Sequence, residues 1–337
     1  LIFVLVPGKS FSQQTYPISI PPVIPPSPDA AALGKYGNTP VGLYTGIPEI
    51  NIPLYTIKTK RLEVPISVSY HALGNKVSEV ASWIGLGWSL NAGGAVSRSV
   101  VGRPDYPDGF WSSYTIKTAS QITSSDHDYL KAISDGLSDG ESDYYFYNFN
   151  GRSGKFIYPQ NNSQTPYLIP QVPIAISFTS NRFEIKDEMG VLYKFATVEY
   201  SEFTDENNFT TTYPSSYYLS EIISADDIEH IYFTYTLDTS YTVTDNFYTE
   251  TIGQECIMPP IPSNGLHTSA WYTNTTRITA VRLKEINFTG GKIEFIKVYS
   301  RNDRPESRLQ EIRISGKNTD GTFSLLYYPR KIHKRDG

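Results

Sequence analysis

Apolar and polar residues alternate along much of this chain with a period of two. The first clear run has apolar side chains at Leu62, Val64, Ile66, Val68 and Tyr70. Such alternation predicts a strand with one buried face. Pro65 lies within this run and donates no backbone hydrogen bond, so it predicts a sheet edge or a bulge at this point.

Four further pairs of apolar runs, all after residue 143, are joined by short turns. The turns lie at Asn150-Gly151, at 187–190, at Asp226-Asp227 and at Gly290-Gly291. Gly, Asn and Asp tolerate the backbone angles of tight turns, so each pair predicts a β-hairpin. The first three turns recur at nearly even spacing, as propeller blades do. The longer gap before the fourth turn breaks that spacing, and we favour a meandering antiparallel sheet.

A helical pattern is clearest over residues 125–137. The residues that share one helical face are Tyr129, Leu130, Ile133 and Leu137. Ser125 or Asp126 precedes them as a capping residue. We therefore predict a mainly β protein, with antiparallel meander or sandwich-like sheets, many hairpins and at most one or two short helices.

The N-terminal residues suggest export. Residues 1–6 are apolar, small residues follow before Gln13, and this order is typical of the end of a secretory signal peptide. The apolar run is too short to span a bilayer. Six prolines between Pro17 and Pro28 predict an extended linker. The predicted regions are a residual signal peptide (1–12), a Pro-rich linker (13–32), a Gly/Trp-rich β region (33–115), a loop with a short helix (116–142) and a hairpin-rich region (143–337).

Composition narrows the classes of partner. The chain has 337 residues, with 34 acidic and 29 basic side chains and a formal net charge of −5. This balance argues against binding of nucleic acid, which requires a surface with clustered basic side chains. The single cysteine, Cys256, excludes an intrachain disulfide and a cysteine-rich zinc site. The 26 tyrosines suit strands, and the 24 glycines and 23 prolines suit turns.

Sequence motifs for catalysis are incomplete. The segment from Gly85 begins like a dinucleotide-binding fingerprint, but Leu90 stands where the third glycine belongs. Ser89 lies in a near-match to a nucleophile elbow, but Asn91 replaces the glycine that this motif needs. The histidines do not pair at metal-ligand spacing. We therefore expect no catalytic residue, no cofactor and no metal ligand.

Two acidic stretches raise the question of a bound cation. His127 lies between Asp126 and Asp128, an arrangement more typical of a solvated helix start. Alternating carboxylates over residues 135–143 resemble oxygen-rich calcium loops, although their spacing matches no EF-hand. Whether the 135–143 loop binds calcium stays open.

Tyrosines cluster at two places. The clusters are Tyr144, Tyr145 and Tyr147, and Tyr213, Tyr217 and Tyr218. Exposed tyrosines contact sugars or proteins on extracellular domains, whereas tyrosines inside a sheet form cross-strand pairs. We favour the second role.

Residues 33–104 contain a series of motifs with a family resemblance. They are Leu33 to Gly37, Tyr44 to Pro48, the strand Val64 to Tyr70, Trp83 to Leu90, Gly93-Gly94 and Ser97-Arg98. This series resembles the N-terminal region of Bacteroidetes RHS/YD-repeat proteins. Its Gly-Leu-Gly-Trp-Ser-Leu core is similar to a segment of SpvB/TcB-type toxin-complex proteins. Later segments, among them Phe146 to Phe156 and Arg301 to Ile314, are also similar.

The resemblance implies a secreted or surface polypeptide. In such proteins this region precedes YD repeats, which build a β shell around a C-terminal toxin. The chain is then a non-catalytic N-terminal structural segment, and its partners are the downstream shell and cargo of the same polypeptide. The residues expected to form a folding signature are Trp83, Gly85, Gly87, Trp88, Gly93, Gly94 and Arg98. Two alternatives stay open, namely an extracellular module that binds a surface glycan or protein and an unrecognised hydrolase.

Overall fold

The structure is a computed structural model that describes residues 48–71, 74, 80–101, 104–105, 117, 119–134, 142–159, 165–204, 208, 210–252 and 267–327. Residues 49–337 form one compact unit, and the description below concerns that unit. The predicted signal peptide and the predicted linker lie outside the described residues. So does residue 137 of the predicted helix.

A small sheet of three strands begins the described chain. Its strands are β1 (Glu49–Lys58), β2 (Glu63–His71) and β3 (Trp88–Asn91), in the order β1-β2-β3. The alternating run forms β2, and Val64 and Ile66 are buried as predicted. β3 pairs with β2 from Ser67 onwards, so at Pro65 the strand has β1 alone as a neighbour. Because β3 does not extend to Pro65, the missing N–H of this proline removes no hydrogen bond between β2 and β3.

The remaining strands form one 15-stranded sheet. They are β4 (Gly94–Ser99), β5 (Tyr144–Phe149), β6 (Arg152–Ile157), β7 (Tyr167–Ile169), β8 (Ala175–Thr179), β9 (Arg182–Lys186), β10 (Leu192–Thr204), β11 (Thr210–Ile223), β12 (His230–Leu237), β13 (Tyr241–Ile252), β14 (His267–Thr279), β15 (Val281–Phe288), β16 (Gly291–Val298), β17 (Arg308–Lys317) and β18 (Phe323–Tyr327).

The large sheet branches at the paired strands β10 and β11. One edge of β11 pairs with β4 and then, further along, with β12. The far edge of β10 pairs with β9 near its start and with β14 near its end. The main path reads β18-β17-β16-β15-β12-β11-β4-β5-β6-β7, and all its pairs are antiparallel. β4 belongs to the predicted 33–115 region, and both of its neighbours, β5 and β11, belong to the predicted 143–337 region.

All four predicted hairpins are present. They are β5–β6, β9–β10, β11–β12 and β15–β16. At the first turn, Asn150 and Gly151 both have positive φ, 43° and 77°. Two successive residues in this conformation match the right-handed twist of the strands they connect. The mainly β, antiparallel fold class is therefore confirmed.

Helical structure is short. The α-helix α1 (His127–Ser134) lies inside the predicted range, and a 3-10 helix covers Ala119–Gln121. Asp126 precedes α1, and its carboxylate accepts the Thr123 N–H at 2.8 Å. Hydrogen bonds from Lys117 and from Thr123 lower the pKa of Asp126 to about 2.

The core is aromatic where the sheet folds over itself. The ring of Phe183 on β9 lies 5.5 Å from Tyr145 on β5, 5.7 Å from Phe156 on β6 and 4.8 Å from Tyr217 on β11. β9 and β5 belong to different branches, so these contacts give the sheet a sandwich-like packing. Such edge-to-face pairs each add about 0.5–1.5 kcal/mol beyond the area they bury.

Candidate functional site

The Gly/Trp segment forms a tight turn ahead of β3. The Ser82 hydroxyl donates to the Trp88 carbonyl oxygen at 2.6 Å and accepts the Ile84 N–H at 3.2 Å. The Trp88 N–H also donates to the Gly85 carbonyl oxygen at 3.3 Å. Ser82 thus holds both ends of the turn through backbone groups, and sequence reasoning missed it because a lone serine carries no pattern.

Two of the predicted glycines stand where a side chain does not fit. Gly87 has a φ of +73°, and a methyl group there would lie 2.8 Å from the ring of Tyr70. That ring packs against Trp88 with centroids 5.1 Å apart. A methyl group at Gly94 would lie 2.5 Å from the carbonyl oxygen of Asn148 on β5. Both positions require glycine for close approach.

The remaining two glycines of the motif also have positive φ. Gly85 has a φ of +146° and Gly93 a φ of +100°. Gly93 faces Phe233 of β12, whose ring carbon would be 3.0 Å from an added methyl group. Gly93 and Gly94 therefore lie against β12 and β5 of the large sheet.

Trp83 connects the turn to the C-terminal part of the sheet. Its side chain is buried, and its carbonyl oxygen accepts the Leu309 N–H of β17 at 2.7 Å. Arg301 donates to the carbonyl oxygens of Ala81 at 3.1 Å and Ser82 at 3.3 Å. The guanidinium of Arg282 on β15 lies 5.8 Å from the Trp83 ring, in a cation–π contact. We call residues 81–88 with these partners the Trp83 junction.

A buried ion network lies behind the Trp83 junction. Arg282 bridges Asp238 at 3.2 Å and Glu306, and Glu306 also pairs with Arg304 at 3.2 Å. The carboxylate of Asp238 accepts the Ser307 hydroxyl at 2.6 Å and the Ser307 N–H at 3.0 Å. The side chains of Asp238 and Glu306 are 0% and 2% exposed, so their charges depend on these partners.

Two carboxyl groups beside this network have pKa values shifted in opposite directions. Burial raises the pKa of Asp238, but hydrogen bonds from Ser307 and Thr239 outweigh it and leave that pKa below its ordinary value. For Glu199 on β10, burial dominates and raises the pKa, although the Tyr218 hydroxyl and the Val281 N–H donate to it at 3.2 and 3.1 Å. Asp238 is thus held charged, whereas burial favours the neutral form of Glu199.

Arg98, the last residue of the motif, forms a separate buried ion pair. Its Nε donates to the Asp143 carboxylate at 2.6 Å, and the two side chains are 1% and 0% exposed. Asp143 also accepts the backbone N–H groups of Val101 at 2.8 Å and Asp105 at 3.1 Å. In return, Asp105 accepts the Asp143 N–H at 2.8 Å. This pair fixes the ends of β4 and β5 side by side.

The other residues singled out by sequence lie apart from these networks. Ser89 is on β3, where its hydroxyl lies 2.8 Å from that of Ser69. His127 is exposed at the start of α1, 3.5 Å from Asp128. Of the acidic 135–143 loop, Asp143 is committed to Arg98, and residues 135–141 lie outside the described residues. Within the described part, no three His, Cys, Asp or Glu side chains are placed to hold a metal ion.

The two tyrosine clusters divide between the faces of the sheet. Tyr145, Tyr147 and Tyr217 are buried in the aromatic core, as the cross-strand interpretation expects. Tyr213 and Tyr218 are partly buried. Tyr144 points outwards from β5 and is 40% exposed.

Comparisons with known proteins add no family. A scan against protein-family models finds no match, and a search of curated proteins finds none either. In the part of the chain that the structure describes, no helix is both long and apolar enough to cross a membrane.

The contacts of the Trp83 junction and its ion network hold segments distant in sequence against one another. The charged groups of these networks are bonded to one another or to backbone groups. Arg301 and Leu309 bind the carbonyl oxygens of residues 81–83 across more than 200 positions of sequence. Residues 81–83 are thereby tied to β17 and to the loop before it.

Proposed function

We propose that this chain is a non-catalytic structural segment of a secreted or surface RHS-repeat polypeptide. In this role it helps to form or close a β shell around a C-terminal cargo. The downstream YD repeats and the cargo are its partners, and it uses no cofactor. The apolar N-terminal run supports export through a signal peptide.

The Trp83 junction is the observation that carries the proposal. The motif segment contacts two strands of the large sheet through Leu309 and Arg282, and a loop between strands through Arg301. A segment that closes a sheet must hold distant strands together, and the junction has that arrangement. The burial of the Arg98–Asp143 pair adds a second fixed point at β4 and β5.

The order of the last strands also supports the proposal. β15, β16, β17 and β18 are neighbours in sequence and in the sheet, each paired to the next. β18 ends the described sheet, and its side chains Phe323, Leu325 and Leu326 are exposed. An edge strand with an apolar face is suited to accept a further strand. Repeats that continue this hairpin series would cover it.

The reading frame beyond Gly337 tests the proposal directly. We expect the encoding gene to continue into a series of YD repeats and then into a variable C-terminal domain. A stop codon directly after Gly337 would overturn the shell role, because no downstream shell would then exist in the same polypeptide.

A further inference from the structure

The outer face of β5, β6 and β7 carries an exposed aromatic surface. Tyr144, Phe146, Tyr167 and Ile169 are 40%, 44%, 60% and 41% exposed. They alternate along their strands with buried neighbours such as Tyr145 and Tyr147, so they share the face opposite the core. We call these four residues, with Ile157 and Lys155, the β5–β7 platform.

Strand register makes the platform two rows deep. Tyr144 lies opposite Ile157, which lies opposite Tyr167; Phe146 lies opposite Lys155, which lies opposite Ile169. Neighbouring strands are about 4.8 Å apart, so Tyr144 and Tyr167 are separated by about 10 Å across the sheet. The platform therefore extends across three strands, a width that suits a short chain of rings.

The charge of the platform is positive. Lys155 lies in its second row, with Nζ 5.4 Å from the centroid of the Tyr144 ring. The other positions on this face of β4, β5 and β6 carry small polar side chains or alanine, namely Ala95, Ser97, Ser99, Asn148 and Ser153. None of these positions carries a carboxylate, although the whole chain has a net charge of −5.

We propose that the β5–β7 platform binds an acidic polysaccharide built of uronate rings. The C–H face of a pyranose packs on an aromatic ring, whose face is negative. The ring hydroxyls suit the neighbouring serine and asparagine side chains, and the carboxylate complements Lys155. An uncharged apolar partner would bury Lys155 without a counter-charge, which is costly. A nucleic acid strand selects a groove of several cations.

This binding role goes beyond the proposed structural role and does not depend on it. The platform lies on the outer face of β5–β7, whereas the Trp83 junction lies at residues 81–88 and their partners on β15, β17 and the loop before β17. The two proposals therefore fail separately, one by a ligand titration and the other by the reading frame beyond Gly337.

Calorimetric titration of the full chain with an oligogalacturonate, and with its methyl ester, tests the proposal. We expect saturable binding of the free acid and about tenfold weaker binding of the ester, which keeps the rings but removes the charge. Tyr167→Ala should weaken binding of both probes at least tenfold. Lys155→Gln should weaken binding of the free acid to the level of the ester and leave binding of the ester unchanged.

The chain contains a matched control for the tyrosine substitution. Tyr299 is 58% exposed, close to the 60% of Tyr167, and the Nζ of Lys297 lies 5.4 Å from its ring centroid, so it is an exposed tyrosine beside a lysine outside the platform. Tyr299→Ala should bind like the wild type, and both variants should keep the wild-type melting temperature. Equal loss in Tyr299→Ala and Tyr167→Ala, or no saturable binding, would overturn the proposal. So would self-association that Tyr167→Ala abolishes, since the platform would then bind a second copy.

Discussion

Removing the charge of Asp143 tests whether the motif acts through its buried ion pair. In Asp143→Asn, the side-chain oxygen can still accept the Val101 N–H, but an amide nitrogen replaces the oxygen that accepts from Arg98 and Asp105. That nitrogen is itself a donor, and it lies against the donor groups of Arg98 and Asp105. The guanidinium of Arg98, 1% exposed, loses the counter-charge of its ion pair, although the Asp105 carboxylate still acts on it electrostatically.

The expected loss follows from that burial. Removing one partner of a buried ion pair costs about 3–5 kcal/mol, because the remaining charge is left uncompensated. For a domain of this size, such a loss lowers the melting temperature by about 5–10 °C. Differential scanning calorimetry of the full chain measures the shift.

Two further variants separate the buried charge from other causes. Glu63→Gln makes the same carboxylate-to-amide change in the exposed Lys58–Glu63 pair and should change stability by less than about 1 kcal/mol. Adding Arg98→Met to Asp143→Asn removes the positive charge that has lost its ion-pair partner. The double variant should therefore recover part of the lost stability. A melting temperature for Asp143→Asn that matches Glu63→Gln would refute the reasoning, as would a double variant less stable than the sum of its single variants predicts.

Three other changes test particular contacts by thermal unfolding. Gly94→Ala forces a methyl group onto the backbone of β5 and should cost about 1–3 kcal/mol, whereas Gly290→Ala, with only an ordinary contact at 3.5 Å, should be nearly neutral; equal losses would contradict the close approach. Trp83→Ala should cost about 3–5 kcal/mol, and Trp271→Ala, 75% exposed, should cost little. The raised pKa of Glu199 means that the folded state holds this proton more tightly than the unfolded state, so its contribution to stability is present at low pH and is lost as pH rises through the raised pKa. Glu199→Gln should therefore gain stability over the wild type as pH rises from 4 to 8, and a constant difference in melting temperature would contradict this.

Local turn chemistry explains why four of the hairpins were predictable. Asn150 and Gly151 combine a turn pair that favours positive φ with alternating residues on either side. The β8–β9 hairpin was missed because its turn is Ser180-Asn181, with φ of 52° and 57° but no glycine. The long β13–β14 pair was missed for another reason. Its strands are rich in threonine and lack a regular apolar alternation.

The order of strands in the sheet could not be predicted from the sequence. β4 lies between β5 and β11, and β11 is more than 100 residues further along the chain. Such pairings depend on which long-range ladder forms, and the apolar pattern of β4 alone allows many partners. The branching at β10 and β11 has the same origin, because one long strand can pair with two different strands along the same edge.

The motif and its partners differ in how visible they are in sequence, and the difference is physical. At positions 87 and 94 the backbone conformation or the close approach of a neighbour leaves no room for a side chain. Glycine is therefore required there, and it is visible in the sequence as a residue type. Arg301, in contrast, binds the carbonyl oxygens of Ala81 and Ser82, which every residue possesses. Its contact therefore places no demand on the side chains at 81 and 82 and leaves no pattern there. It follows that the far side of the Trp83 junction is open to test by Arg301→Met, which removes the hydrogen bonds to residues 81 and 82, together with the Arg301–Asp303 ion pair, while keeping an apolar stem. This variant should destabilise the chain without any change inside the motif.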